Sequence, residues 1–276
     1  MNIPEKYIKH FPAYEDVFVG DLEHYRKHFL PICSINLQFL FPEQDEWLHF
    51  VSVKEIHESS VGEDTQSFHI TFTKEDMLGF DVMDGKYKFE ADWDYFILHQ
   101  KEQLEAAYET LKSTGDKAYL RVKRQVMSLD EVERAYIANE QDYQSRKAFF
   151  LKNNNIYPYS SFGDATESVE ELTRDFEDKQ SSGWGLSFPE VNGILVDIAF
   201  QSEEAQSYIK EYGESIEEML QFEHTNLLHV PKCANGETFT YIGSFTGYYF
   251  QAFGADSVYL FYDRELRKAV ICFEYS

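Results

Sequence analysis

The 276-residue sequence has few cysteines, no signal-peptide pattern and no long apolar run. Cys33, Cys233 and Cys272 are an odd number of cysteines without close spacing, which argues against a disulfide framework and is typical of reduced thiols. The first residues lack an apolar segment of signal-peptide length, and no uncharged apolar run reaches the roughly 18 residues of a membrane span. We therefore expect a cytoplasmic protein that is neither secreted nor inserted in a membrane.

The short motifs of nucleotide and nucleophile chemistry are also missing. The sequence contains no Walker loop, no dinucleotide fingerprint and no G-x-S-x-G elbow. Gly243, Gly247 and Gly254 separate strand-like segments and do not open a helix, so no cofactor is expected. Cys272 lies in a strand-like run and Cys233 has no base assigned by the pattern, so neither thiol is predicted to be a nucleophile.

Basic residues are the minority, with 25 Lys and Arg against 49 Asp and Glu, which gives a formal charge of −24. A surface of this charge repels phosphate backbones and anionic membranes, so nucleic acid is a poor partner. The acidity predicts either a solvated surface that resists aggregation, which is the leading interpretation, or an acidic patch that meets a basic protein partner. The basic cluster at Lys117, Arg121, Lys123 and Arg124 interrupts the negative charge, which disfavours a DNA mimic, and we interpret it as a solvated face.

Aromatic residues are abundant, at 17% of the chain with 24 Phe and 19 Tyr, which predicts an aromatic core. Four of the aromatic side chains are candidates for contact with a protein partner. Trp184 lies between two glycines, Trp93 lies between two aspartates, and Tyr157 and Tyr159 flank a proline in a polar loop. Burial of these rings in the core is the alternative for each of them.

Hydrophobic periodicity predicts an α+β fold made mostly of antiparallel sheet, with several peripheral helices and a C-terminal β-meander. Helix starts are indicated by Asp21, by the capping-box pairs Ser128/Glu131, Ser168/Glu171 and Ser215/Glu218, and by Ser202; Gly115 indicates a helix end. Asn235-Gly236 is typical of a type I′ hairpin. Strands are predicted at 36–41, 47–53, 67–73, 87–91, 119–122, 193–200, 239–242, 248–253, 258–262 and 269–275.

The polar, Ser- and Gly-rich segment 153–185 leaves the domain organisation open. Either residues 1–276 form a single domain with this segment as an insertion, or 1–152 and 186–276 are two lobes that it joins. The segment is then a linker, a mobile cover or an ordered insertion.

The pair Asp92 and Asp94 is the candidate for acid–base chemistry. Alternate residues of a strand would place both carboxylates on one face and Trp93 on the other. A hydrolase or small-ligand enzyme would combine them with a histidine, such as His69 or His99. The alternative is an exposed strand edge with a buried tryptophan.

His24 and His28 are four residues apart on the first predicted helix, with Glu23 beside them. This spacing can place two imidazoles on one metal ion. The sequence fixes no third ligand nearby and lacks the zincin pattern, so no metal site is predicted.

The last 38 residues read FTYIGSFTGYYFQAFGADSVYLFYDRELRKAVICFEYS. Their Tyr241-Ile242-Gly243 strand end, Gly254-Ala255-Asp256 turn, aromatic strand at 258–262 and final apolar strand after Arg264–Lys268 resemble the C-terminal region of the YwqG-like family of bacterial proteins. The resemblance implies an α+β fold with antiparallel sheet in a cytoplasmic protein. It supplies no catalytic residues, because the family lacks an established activity. Immunity proteins that cover bacterial toxins offer an analogy in size and acidity only.

Three functions remain open at this stage. The first is a non-enzymatic protein-binding module with an acidic, Tyr-rich surface that recognises a basic partner. The second is a hydrolase or small-ligand enzyme with a cleft of carboxylates and histidine. The third is a structural or scaffolding subunit, which predicts an exposed apolar patch and stable self-association.

Overall fold

Two antiparallel sheets organise the chain in a computed structural model that describes residues 5–56, 61–154, 168–182 and 225–275. The first sheet has the order β1-β2-β3, and the second has the order β5-β4-β8-β7-β6. The strands are β1 (Ile8–His10), β2 (Phe29–Asn36), β3 (Trp47–Val53), β4 (Met77–Met83), β5 (Lys86–Phe89), β6 (Thr240–Phe245), β7 (Ser257–Asp263) and β8 (Lys268–Glu274). With the helices described next, these sheets confirm the predicted α+β class and its C-terminal meander.

The helices begin and end largely where local sequence signals place them. Asp21 accepts a hydrogen bond from the backbone N–H of Glu23 at 3.1 Å, as an N-cap does. Gly115 ends a helix with φ of +73°, a backbone angle that glycine adopts without strain. Ser168 and Glu171 form the predicted capping box. The helices are α1 (Tyr14–Val17), α2 (Leu22–His28), α3 (Lys101–Thr114), α4 (Tyr119–Asn153) and α5 (Val169–Ser182).

The second sheet joins strands from distant parts of the sequence. β4 pairs with β8 from Met77↔Cys272 to Asp81↔Lys268. The Nζ of Lys268 donates to Asp81 at 2.6 Å and to Glu90 at 2.5 Å, which ties this register at its end. Strands on either side of the long helical segment therefore share one hydrogen-bonded sheet.

The core is aromatic, as predicted. The largest fully buried side chains are all phenylalanines and tyrosines, among them Phe29, Phe80 and Tyr87. The Phe29 and Phe80 rings meet edge to face at 5.5 Å, and the Phe80 and Tyr87 rings stack at 5.0 Å. Phe29 lies in β2, Phe80 in β4 and Tyr87 in β5, so these contacts join the first sheet to the second. Each such ring removes a large apolar area from water, which stabilises the contact between the sheets.

Helix α4 is fixed to the first sheet by buried polar side chains. The amide of Asn139 donates to the backbone carbonyls of Lys54 and Ile56 at 3.0 and 3.1 Å. One helical turn further on, the hydroxyl of Tyr143 donates to the carbonyl of Pro31 at 2.6 Å. These bonds satisfy backbone carbonyls within β2 and just after β3 and so set the position of the helix.

Four predicted strands are wrong in whole or in part. Residues 119–122 belong to α4, whose first buried side chain is Leu129, so this stretch is an exposed helix face. The alternating residues 67–73 lie at the end of a 3₁₀ helix (Glu63–Phe68) and in the loop after it. Two other predicted strands contain 3₁₀ turns instead: Leu37–Phe39 takes up half of 36–41, and Gly247–Tyr249 overlaps the start of the segment 248–253, which has no strand residue. A local β preference therefore did not decide the structure of any of these four segments.

Two predicted turn and cap signals are also wrong. Ser128 lies inside α4, where its hydroxyl donates to the carbonyl of Gln125 at 2.7 Å and does not cap a helix start. The hairpin at Asn235-Gly236 forms, with Cys233 N–H donating to the carbonyl of Glu237 at 2.7 Å. Only Gly236 of the pair has positive φ, whereas a type I′ turn requires it at both central residues.

Some predictions fall outside the described residues. These are the strand at 193–200, the helix starts at Ser202 and Ser215, and the contact candidates Tyr157, Tyr159 and Trp184. Within the described part of the chain, no helix has both the length and the hydropathy that a membrane span requires.

Candidate functional site

Several residues that the sequence singled out separately lie together in the fold. Helix α2 supplies His24 and His28, and the 3₁₀ turns Trp93–Tyr95 and Ile97–Gln100 supply Trp93 and His99. Ring centroids are 4.9 Å apart for His24 and Trp93, 5.2 Å for His24 and His99, and 5.6 Å for His28 and His99. We call the three histidines and Trp93 the histidine cluster.

Helical spacing and a capped turn build this cluster. Residues four apart on a helix share a face, so α2 presents both of its histidines to the same neighbour. On the opposite side, Asp92 accepts a hydrogen bond from the backbone N–H of Asp94 at 2.9 Å and starts the 3₁₀ turn that holds Trp93. Gln100 then donates to the carbonyl of Asp94 at 2.5 Å and closes the segment.

The predicted strand at Asp92 and Asp94 is therefore wrong. The two carboxylates flank Trp93 in a turn, with Asp92 exposed and Asp94 half-buried. The Trp93 ring is half-buried and packs at 5.0 Å from Tyr25 and at 5.1 Å from Phe89. The turn brings the carboxylates to the edge of the histidine cluster. They are not on one face of a strand, in contrast to the prediction from the sequence.

A buried hydrogen-bonded chain runs inward from the cluster. Nδ1 of His28 lies 2.7 Å from the hydroxyl of Tyr136, and this hydroxyl lies 3.0 Å from Oε2 of Glu55. The backbone N–H of Ile97 donates to the other oxygen of Glu55 at 3.3 Å. Nε2 of His28 is buried and has no hydrogen-bond partner among the described residues, while the ring stacks on Phe96 at 4.3 Å.

Burial sets the proton affinities in this chain. Loss of solvation raises the pKa of Glu55 from 4.5 to about 7, although hydrogen bonds from Tyr136, Ile97 and Leu98 oppose the rise. Loss of solvation also lowers the pKa of His28 well below 6.5, and the nearby Lys27 lowers it further. A neutral imidazole and a carboxyl group that titrates near neutrality thus meet through one hydroxyl.

The remaining candidates lie elsewhere or do not assemble a metal site. His69 bonds the carbonyl of Gly62 through Nε2 at 2.9 Å and is outside the histidine cluster. His99 is in the cluster, where burial and then Lys27 lower its pKa. In the ranges that the structure describes, no three or more His, Cys, Asp or Glu side chains are arranged to hold a metal ion.

Sequence reasoning missed Glu55 and gave Tyr136 only a packing role. Tyr136 is recognisable as part of the apolar stripe of α4, but its partner lies 81 positions earlier in the chain. Nothing in the local sequence distinguishes Glu55 from the many exposed acidic residues.

Comparison with known proteins finds no matching family model, no matching curated protein and no matching solved structure. The likeness of residues 239–276 to the YwqG-like family stays a prediction.

Proposed function

We propose that this protein is a non-enzymatic binding protein that recognises a basic protein partner, with Trp93 and the carboxylates around it as part of the contact surface. The observation that carries the proposal is the half-exposed Trp93 ring, stacked on His24 at 4.9 Å beside exposed carboxylates. Tryptophan is the most effective ring for contact with a Lys or Arg side chain and is common at binding hot spots.

Exposed carboxylates near Trp93 favour a cationic group, against the opposing charge of Lys27 on α2. Asp21 lies 3.7 Å from His24, and the side chains of Asp21 and Glu23 are 65% and 87% exposed. Asp92 adds a third exposed carboxylate next to the ring. We call Trp93, Asp21, Glu23 and Asp92 the acidic tryptophan patch, to which Glu23 belongs by its place in the sequence beside His24, while its carboxylate lies 4.0 Å from Arg26. Its ring is held by packing, so a partner loses little free energy in ordering it.

The charge of the whole chain supports the same partner. A formal charge of −24 speeds the encounter with a basic protein and makes the association sensitive to salt. Local contact at the patch then provides selectivity that overall charge alone does not.

The proposal is tested by a tagged pull-down from native cell lysate at low and moderate salt, with bound proteins identified by mass spectrometry. The patch variant carries Asp21→Asn, Glu23→Gln and Asp92→Asn, of which the two asparagines keep the capping function. The control variant carries three substitutions at exposed carboxylates outside the patch: Glu43→Gln, Asp84→Asn and Glu237→Gln. Both variants remove three negative charges, so they differ only in where the charges are lost.

We expect one basic protein at near-stoichiometric amount with wild type and the control variant, and much less with the patch variant. Equal loss in both variants would point to overall charge and contradict a role for the patch. Recovery of nothing above background from wild type would contradict the binding function itself.

A hydrolase or small-ligand enzyme is the second candidate, favoured by the buried chain of Glu55, Tyr136 and His28. A carboxyl group with a pKa of about 7 and an oriented imidazole are groups suited to general acid–base chemistry. The carboxylates Asp92 and Asp94 would then act at its rim. A thermal-shift screen of small ligands tests this function, and a ligand whose stabilisation is lost in His28→Gln would support it.

A further inference from the structure

The chain from Glu55 to His28 is hydrogen-bonded at one end and unpaired at the other among the described residues. Glu55 is 8% exposed, and its two oxygens receive hydrogen bonds from Ile97 and Tyr136. At the other end, Nε2 of His28 has no partner among the described residues and lies beside the ring of the half-exposed His99. The unpaired end of this chain is therefore the end that belongs to the histidine cluster.

One hydroxyl hydrogen couples the two ends. The Tyr136 hydroxyl contacts both Glu55 and His28 at hydrogen-bond distance, but it has a single hydrogen to donate. When that hydrogen points to Glu55, Nδ1 of His28 must carry the hydrogen of the second bond. When the hydroxyl hydrogen points to His28, Glu55 must carry the hydrogen of the bond between Glu55 and Tyr136. The protonation of Glu55 and the tautomer of His28 are thus linked.

We propose that Glu55, Tyr136 and His28 form a proton relay in which ionisation of Glu55 releases a proton from Nε2 of His28. With Glu55 protonated, its O–H donates to Tyr136, the Tyr136 hydroxyl donates to Nδ1, and Nε2 carries a hydrogen. On ionisation the carboxyl proton moves to Tyr136, the hydroxyl proton moves to Nδ1, and the Nε2 proton passes to bulk water. The chain of Glu55, Tyr136 and His28 then holds two of these protons instead of three, and the negative charge is on Glu55.

The surrounding charges keep His28 neutral in both states. Lys27 and Lys54 lie near it, and they add to the effect of burial in lowering its pKa. The Lys54 ammonium is itself held by Glu140 and by the carbonyl of Arg26. A doubly protonated His28 would be an additional buried cation, so the proton leaves and the imidazole changes tautomer. The other titratable groups that face the relay are His24 and His99 at His28, Asp64 and Tyr95 at Glu55, and Asp92 and Asp94 at His99.

The relay places a pH-dependent group at the histidine cluster. Below neutral pH Nε2 of His28 carries a hydrogen and can donate a hydrogen bond, and above neutral pH it has a lone pair and can accept one. This inference does not rest on the protein-binding proposal, because the tautomer can be read in the free protein.

The test is nuclear magnetic resonance of protein with ¹⁵N-labelled histidine, recorded from pH 5.5 to 9. The ¹⁵N shifts of the two ring nitrogens separate the two neutral tautomers from each other and from imidazolium. For the wild type we expect His28 to carry hydrogen on Nε2 at the acidic end and on Nδ1 at the basic end, with a midpoint near pH 7.

Two variants interrupt the relay, and a third is a matched control. Tyr136→Phe removes the shared hydroxyl, and Glu55→Gln removes the titrating group. Tyr143→Phe removes another buried hydroxyl of α4, one that bonds the backbone of Pro31. We expect a single tautomer over the whole pH range in the first two variants and a normal switch in the third.

The wild-type titration decides the question even if a variant fails to fold. One unchanged tautomer from pH 5.5 to 9, or conversion to imidazolium near pH 7, would overturn the relay. A switch that persists in folded Tyr136→Phe would overturn it as well.

Discussion

The buried carboxyl of Glu55 makes stability depend on pH in a direction opposite to that of most carboxylates. Its side chain is 8% exposed and its pKa is about 7 in the folded protein, against an ordinary value of 4.5. The folded state therefore holds the proton more tightly than the unfolded state. The contribution of Glu55 to stability is fully present below pH 4.5 and is lost as the pH rises through 7.

The size of the effect follows from the two pKa values. At about 1.36 kcal/mol for each pH unit, the interval from 4.5 to 7 corresponds to about 3.4 kcal/mol of unfolding free energy. The chain carries little net charge near its isoelectric point of 4.7, where proteins tend to associate. Measurements are therefore best made between pH 5.5 and 8, an interval that contains about 2 kcal/mol of the total.

The assay is urea unfolding of wild type and Glu55→Gln at several pH values. The quantity to follow is the difference between their unfolding free energies, because other titrating groups cancel in that difference. Wild-type stability should fall by about 2 kcal/mol relative to the variant from pH 5.5 to 8. The exposed substitution Glu43→Gln serves as the control and should give a difference near zero throughout. A flat difference for Glu55→Gln would refute a buried carboxyl with a raised pKa.

Three further predictions concern single sites. Gly254→Ala would place a Cβ 2.4 Å from the backbone carbon of Gly247, so it should cost about 3 kcal/mol in urea unfolding. Tyr143→Phe leaves the buried carbonyl of Pro31 without its donor and should cost about 1 to 2 kcal/mol in the same assay. Burial lowers the pKa of His49 to about 4, so wild type should lose about 1.4 kcal/mol relative to His49→Gln as the pH falls from 8 to 5.5. An unchanged midpoint for either of the first two variants, or a pH-independent difference for the third, would contradict these assignments.

Local signals were sufficient where the structure depends on neighbouring residues. The Asp21 cap, the Gly115 helix end and the capping box at Ser168 each involve a bond within a few positions, and all three form as predicted. The strands at 258–262 and 269–275 were also recognisable, because both are buried along most of their length. Interactions between residues that are close in the sequence can be predicted from the local sequence pattern.

The errors arise where distant contacts decide. Residues 119–122 have a β-like composition, yet they form one turn of a 35-residue helix that is fixed to the sheet further on by Asn139 and Tyr143. Each histidine of the candidate site and Trp93 could be recognised in the sequence as separate features, but their common location could not. The link between Glu55 and Tyr136 spans 81 positions, and no periodicity reports such a pairing.

The pairing of β4 with β8 has a consequence for synthesis of the chain. Lys268 follows its partner Asp81 by 187 positions, which a ribosome needs roughly 10 to 40 s to translate. Throughout that time β4 (Met77–Met83), most of it buried in the finished protein, has an unpaired edge on the side that β8 will occupy. An open apolar edge can pair with another nascent chain. Strand β8 therefore protects the edge of the earlier strand β4, and a chain that stops before Lys268 would be released with that edge open to aggregation.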